Sequence, residues 1–150
     1  MSEEMTKLYR KIVKGNTFVL NEGFEVLDVG EGRSEVRYHT NPEMHSNLRG
    51  DVHGGVHIAI SDTAMGMACY SLGKKVTTLE INGNYIKPVR TGEVMTIRSR
   101  VVHDGSRTML TVCDMYREDG AHVYTGRATF FVLEIFDVNK ALADMREAIG

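Results

Sequence analysis

Asn47-Leu-Arg-Gly-Asp-Val-His-Gly-Gly-Val-His-Ile-Ala-Ile-Ser-Asp62 runs from a polar loop into a helix. From Val56 to Leu72 the apolar residues Val56, Ile58, Ala59, Ile60, Ala64, Met65, Met67 and Ala68 fall on every side. A helix apolar all round is a buried one, so this segment predicts a central helix that the rest of the chain must cover. One carboxylate interrupts it, Asp62. An aspartate in such surroundings is costly unless it is paired or used.

The start of that helix has its own chemistry. The first turn carries N–H groups with no intrahelical partner, at the positive end of the helix dipole. Gly54 and Gly55 have no side chains there, so a ligand oxygen can approach the backbone. Such a place suits the polarising of a carbonyl or the binding of an anion. Glycines also serve tight turns and close packing, and the pair alone does not choose between these roles. Gly54 and Asp62 stand eight positions apart, which is about 12 Å along one helix. A base and an oxyanion donor must both lie about 3 Å from the reacting group or its water. One helix does not reach both ends of one substrate, whereas two antiparallel copies do. If both residues are catalytic, the site is expected to be shared across a two-fold dimer.

Outward from the helix the chain reads as strands. On the N-terminal side, Phe24–Val29 and Ser34–Thr40 form a hairpin pattern broken by Asn41-Pro42. On the C-terminal side, Gly73-Lys74-Lys75 is a cap and turn. Four strand patterns follow, at 76–86, 93–103, 107–117 and 122–136, with Asp104-Gly105 and Asp119-Gly120 as hairpin signals. The spacings leave no room for crossover helices, so the sheet is expected to be antiparallel. Met5, Leu8, Tyr9, Ile12 and Val13 predict a short amphipathic helix over 3–14, and a C-terminal helix is expected over 138–149, capped by Asp137 or Asn139. The expected fold class is α+β: one domain spanning 1–150, with a core at 17–136, in which a curled antiparallel sheet wraps one long helix. Polar strand residues such as Glu80, Asn82, Arg98 and Arg100 predict that part of the outer sheet face is wet.

Composition narrows the function classes. A formal charge of −2 offers no electrostatic footprint for nucleic acid or an anionic membrane. The first residues are charged and do not read as a signal peptide, and residues 54–73 are too polar for a membrane span. Cys69 and Cys113 fall inside a helix and a strand pattern and read as small buried hydrophobes. A cytoplasmic location is expected. His53 and His57 stand at i, i+4, but Gly54 occupies the position where a zinc protease motif carries glutamate, so no metal site is expected. Ser61 lacks the surroundings of a nucleophilic serine.

Asn47, His53-Gly54-Gly55, Asp62, Val76-Thr-Thr-Leu79 and Asn84-Tyr-Ile-Lys-Pro88, taken in order, resemble the hotdog-fold acyl-CoA thioesterases. The similar subgroup is the phenylacetate-pathway, PaaI-like type within the 4-hydroxybenzoyl-CoA thioesterase superfamily. The resemblance covers roughly residues 45 to 133. It implies that Asp62 is the catalytic carboxylate, as general base or nucleophile, and that the N–H of Gly54 polarises the thioester carbonyl. Asn47 assists through its amide, His53 holds the loop and substrate, and Thr78 places the water, with Thr77 as the other choice. It also implies a homodimer with shared sites, a homotetramer as the usual assembly, and no cofactor, coenzyme A being part of the substrate. Gly55 lies where substrate would contact the helix start. Arg90, Ser106 and Arg107, in loops flanking strands, are candidates for contact with the phosphates of coenzyme A.

Two other readings use the same pocket. A hotdog hydratase or dehydratase would need a histidine and an acid placed differently. A non-catalytic acyl-CoA-binding module would have no need of the carboxylate at position 62.

Overall fold

The computed structural model describes residues 2–149. Helix α1 (Ser2–Gly15) is followed by a 3-10 turn at Val19–Gly23 and the hairpin β1 (Phe24–Gly30) and β2 (Arg33–His39). A one-turn helix α2 (Pro42–His45) leads to the long helix α3 (Gly54–Tyr70). Then come β3 (Lys74–Tyr85), β4 (Val94–Asp104), β5 (Thr108–Tyr116), β6 (His122–Ile135) and α4 (Val138–Ile149). The strands form one six-stranded sheet in the order β1-β2-β4-β5-β6-β3. Every pairing is antiparallel. The sheet curls round α3, which packs against all six strands. This is the hotdog architecture expected from the sequence.

Period-two alternation builds the inner layer. Along β5, Met109, Thr111, Cys113 and Met115 are buried while their neighbours are only partly so. Met95 and Ile97 on β4 and Val36 and Tyr38 on β2 face the same way and are fully covered. Burial of each such side chain is worth about 1.5–3 kcal/mol before entropy is set against it. Polar ties fix the helix on this layer: Ser34 donates to the carbonyl of Ala64 at 2.7 Å, and Ser71 accepts from the N–H of Gly32 at 2.9 Å. Both cysteines are buried and free, and burial pushes each thiol up to about 12. Glu80, Asn82, Arg98 and Arg100 are exposed, so the outer face is wet where the sequence predicted.

The structure departs from the sequence reading in three places that matter. First, α3 is not buried all round. Ile58, Ala59, Asp62, Thr63, Gly66 and Tyr70 are only partly covered. Their spacing puts them on one stripe of the helix, with Asp62 in its middle. Second, Asn41-Pro42 does more than break β2. Asn41 accepts from the N–H of Glu43 at 2.9 Å and caps α2, with proline inside the first turn. Third, the long strand β3 is an edge with eight of its twelve residues exposed, Thr78, Leu79 and Tyr85 among them. The helix packs on the inner side of the strand, but among the described residues no neighbour pairs with its free edge.

At the far end, Gly73 turns the chain from α3 into β3 with φ +78°. Its carbonyl accepts from the N–H of Phe136 at 2.8 Å. The side chain of Asp137 accepts from the N–H of Lys140 and caps α4, as expected. Among the described residues no helix is long and apolar enough to cross a membrane.

Candidate active site

The start of α3 is held by its own flanking residues. His53 is the N-cap, with φ −59° and ψ 137°, and its Nδ1 accepts from the N–H of Gly55 at 2.9 Å. A backbone N–H can only donate, so Nδ1 is the unprotonated nitrogen of a neutral ring. This bond occupies one of the orphan donors of the first turn. The N–H of Gly54 has no acceptor among the described residues. Thus His53 leaves Gly54, rather than Gly55, as the donor on offer.

Asn47 stands beside it in a tight loop. Its side-chain oxygen accepts from the N–H groups of Arg49 at 2.9 Å and Asp51 at 3.1 Å. With the oxygen so engaged, the amide NH2 is the end left to donate. Asn47, Gly54 and Gly55 line one cavity of about 770 Å³ together with His57, Tyr85 and the loop Ile86–Val89. Two donors, a backbone N–H and a side-chain amide, are therefore presented to the space at the positive end of α3.

Asp62 lies two turns further on, in the half-exposed stripe. Thr78 donates from Oγ1 to Asp62 Oδ1 at 2.7 Å. Strand register explains why it is Thr78: it stands opposite the buried Phe130 on the inner face, whereas Thr77 stands opposite the exposed Phe131 on the outer face. The hydrogen bond fixes the carboxylate and leaves Oδ2 without a protein partner among the described residues. Asp62 does not line the cavity at the helix start. The two halves of the expected chemistry are thus separated within one protomer, as the eight-residue spacing requires.

The basic candidates divide between these halves. Arg90 donates from Nη1 to the carbonyl of Arg49 at 2.9 Å and approaches Asp51 at 3.7 Å, so it braces the Asn47 loop. Ser106 and Arg107 are exposed in the β4–β5 turn. Lys74, which opens β3 just after α3 ends, bonds Asp104 and the carbonyl of Gly105. This turn therefore lies at the C-terminal end of α3, away from Gly54 of the same protomer.

Two residues with no role assigned from sequence join the site. Tyr85 donates to the carbonyl of Gly54 at 2.5 Å and so holds the first peptide of the helix. Its position, the third inward-facing place after Ile81 and Gly83, is readable from the strand period, but the partner is not. His57 is buried, with Tyr124 stacked on it at 5.7 Å and Tyr85 edge-on at 5.4 Å. The ring of Tyr124 fits because β3 has glycine beside it: a Cβ on Gly83 would sit 2.1 Å from the tyrosine oxygen. Burial pushes the Tyr124 hydroxyl up to about 12 and lowers the pKa of His57.

Comparison with known proteins agrees with this geometry. The thioesterase superfamily model matches residues 49–132. A Haemophilus influenzae protein assigned as an esterase is 31% identical over 80% of this chain and 88% of its own. A Streptococcus pneumoniae protein, described as a hypothetical thioesterase and solved with coenzyme A, superposes with a TM-score of 0.73 at 28% identity, covering 77% of this chain and 93% of that one. It has also been solved with one aspartate, and separately one threonine, changed to alanine; the threonine stands sixteen positions after the aspartate. The Escherichia coli PaaI protein shares the fold, with a TM-score of 0.81 at 19% identity over 90% of this chain and 97% of its own. A helix dipole presenting free donors, a threonine-bound carboxylate on the same helix and these matches lead to one family: the chain belongs to the thioesterase superfamily as a hotdog-fold thioester hydrolase.

Proposed function

We propose that this hydrolase cleaves acyl- or aryl-coenzyme A to the free acid and coenzyme A, in sites shared by two antiparallel copies of the chain. The observation that carries the proposal is the Thr78–Asp62 hydrogen bond on the half-exposed stripe of α3. It makes a positioned carboxylate with one oxygen left for chemistry, facing a surface that one protomer does not cover. The sixteen-residue interval between Asp62 and Thr78 is also that of the aspartate and threonine exchanged in the coenzyme A-bound pneumococcal protein. Support for the shared site comes from the distance to Gly54 and from the uncovered edge of β3, a ready template for pairing with a second copy. Two free, buried thiols fit a protein that works in a reducing compartment such as the cytoplasm.

The chemistry follows from these parts. The thioester oxygen takes hydrogen bonds from the Gly54 N–H and the Asn47 amide of one protomer. Asp62 of the other accepts a proton from water as the water oxygen bonds to the carbonyl carbon. The two donors stabilise the resulting oxyanion, and its collapse breaks the C–S bond and releases thiolate, which takes up the proton. In the nucleophilic variant, Asp62 bonds to the carbonyl carbon directly, and water then hydrolyses the anhydride. Both routes give acid and thiol, and both need the carboxylate.

A panel of coenzyme A thioesters with free-thiol detection tests the reading. Asp62→Asn keeps the shape but cannot take a proton, so a loss of about 10²–10⁴ in kcat is expected. Turnover by the folded variant near that of the wild type would remove Asp62 from the mechanism.

A further inference from the structure

Three buried side-chain polar atoms have no hydrogen-bond partner among the described residues: Asn21 Oδ1, Ser99 Oγ and His57 Nε2. Buried polar atoms are rarely left so, and each calls for a reason. His57 alone of the three lines the cavity shared by Gly54 and Asn47.

The state of this imidazole follows from its contacts. Nδ1 lies 3.3 Å from the carbonyl oxygen of His53, and a carbonyl only accepts, so Nδ1 carries the proton. The ring is 3% exposed and packed between Tyr85 and Tyr124. Burial disfavours its protonated form. The second nitrogen, Nε2, is then a bare lone pair: an acceptor, and no donor. His57 stands three residues past Gly54, about 4.5 Å along the helix axis, so an acyl group held at the Gly54 N–H reaches it within a few bonds. Of the two rings packed on it, Tyr85 is half exposed, at the end of an edge strand.

We propose that His57 determines acyl specificity: its Nε2 accepts a hydrogen bond from a hydroxyl carried a few bonds beyond the thioester carbonyl, and so selects hydroxyacyl over plain acyl thioesters. The proposal rests on the thioesterase reading and adds the substrate class. A plain acyl chain would bury this acceptor against carbon, whereas a hydroxylated one satisfies it.

The test compares coenzyme A thioesters in pairs that differ by one hydroxyl, such as hexanoyl with 4-, 5- or 6-hydroxyhexanoyl. In the wild type at least one pair should favour the hydroxylated member by about tenfold in kcat/KM. In His57→Phe that ratio should fall to about one, and in His57→Gln, which keeps an acceptor, part of it should return. A ratio near one for every pair in the wild type, or an unchanged ratio in His57→Phe, overturns the proposal. A second measurement needs neither variant nor turnover. Nitrogen-15 spectra of the wild-type histidines are recorded with non-hydrolysable thioether analogues of the same pairs. The His57 Nε2 resonance should move with the hydroxylated analogue and not with its plain partner; equal responses, or none, overturn the proposal. If no thioester is cleaved, the thioesterase reading fails, and the nitrogen-15 titration still decides the role of His57.

Discussion

Replacing Gly54 by proline removes a single hydrogen-bond donor and little else. Gly54 is the first residue of α3 and is not among the positive-φ glycines. Proline is well tolerated at this place in a helix, where the N–H has no intrahelical partner. His53 already has ψ 137°, in the extended region that a residue before proline prefers. A Cβ at position 54 meets only the end of the Tyr85 ring, its hydroxyl at 3.3 Å and ring carbons at 3.4 and 3.6 Å, and that ring end can give by a few tenths of an ångström. The stability change should therefore be about 1 kcal/mol or less. Catalysis should suffer far more: loss of one oxyanion donor costs about 10²–10³ in kcat. Asp62→Asn is expected to be inactive for a different reason, so the two variants can be mixed. If each site takes Gly54 from one protomer and Asp62 from the other, a hybrid dimer has one site with both defects and one with neither. Random mixing makes about half of the dimers hybrid, so about a quarter of wild-type activity should return. Thiol release is measured after co-refolding, with hybrids verified by native mass spectrometry on tagged chains. Verified hybrids that stay inactive would put the site within one protomer and refute the distance argument. Wild-type kcat in folded Gly54→Pro would remove its N–H from the reaction.

Thr78→Val keeps the volume of the side chain and deletes the donor to Asp62; kcat should fall about tenfold or more, and an unchanged kcat would make the bond structural only. Arg107→Ala should raise KM for a coenzyme A thioester more than for the matching pantetheine thioester, since only the former carries the nucleotide phosphates, and equal effects would show that Arg107 does not read them. Gly73→Ala should destabilise the fold, because φ is +78° and the new Cβ would lie 2.5 Å from the carbonyl oxygen of Phe136; a Tm lower by roughly 3–10 °C is expected in a thermal melt, and an unshifted Tm would mean the turn relaxes freely.

How far the sequence could be read depended on the range of the interaction involved. The strands of the inner layer were legible because alternation is local: Met109, Thr111, Cys113 and Met115 announce their face without knowledge of any partner. The Asn41 cap and the one-turn helix it starts were missed because Asn-Pro signals a break more strongly than it signals one helical turn. Asp62 and Gly54 stood out because each is out of place for its setting, a carboxylate among apolar residues and paired glycines at a helix start. The choice of Thr78 over Thr77 required the register of β3 on β6, and a one-residue slip would exchange the two. Tyr85 and His57 were beyond reach for a further reason. Their roles come from contacts made across the fold, by a hydroxyl thirty-one residues from the carbonyl it bonds and by an imidazole enclosed by two distant rings.

The misreading of α3 as buried on every side has a physical cause that bears on function. Hydrophobicity records whether a surface avoids water and says nothing of which chain covers it. Within the stripe of Ile58, Ala59, Asp62, Thr63 and Gly66, Ala59 and Gly66 are small, and a Cβ on Gly66 would meet nothing within 4 Å. Small residues along a helix let a second helix come close, and here they flank Asp62, the group that in the proposed mechanism meets a substrate held by another helix start. Under the proposed shared site, the pattern that suggested a fully buried helix is the sum of two burials, one by the curled sheet and one by a second copy. If the proposed shared site holds, the dimer is a requirement of the chemistry, since the Asp62 carboxylate and the donors at Gly54 and Asn47 would then reach one thioester only when two stripes face each other.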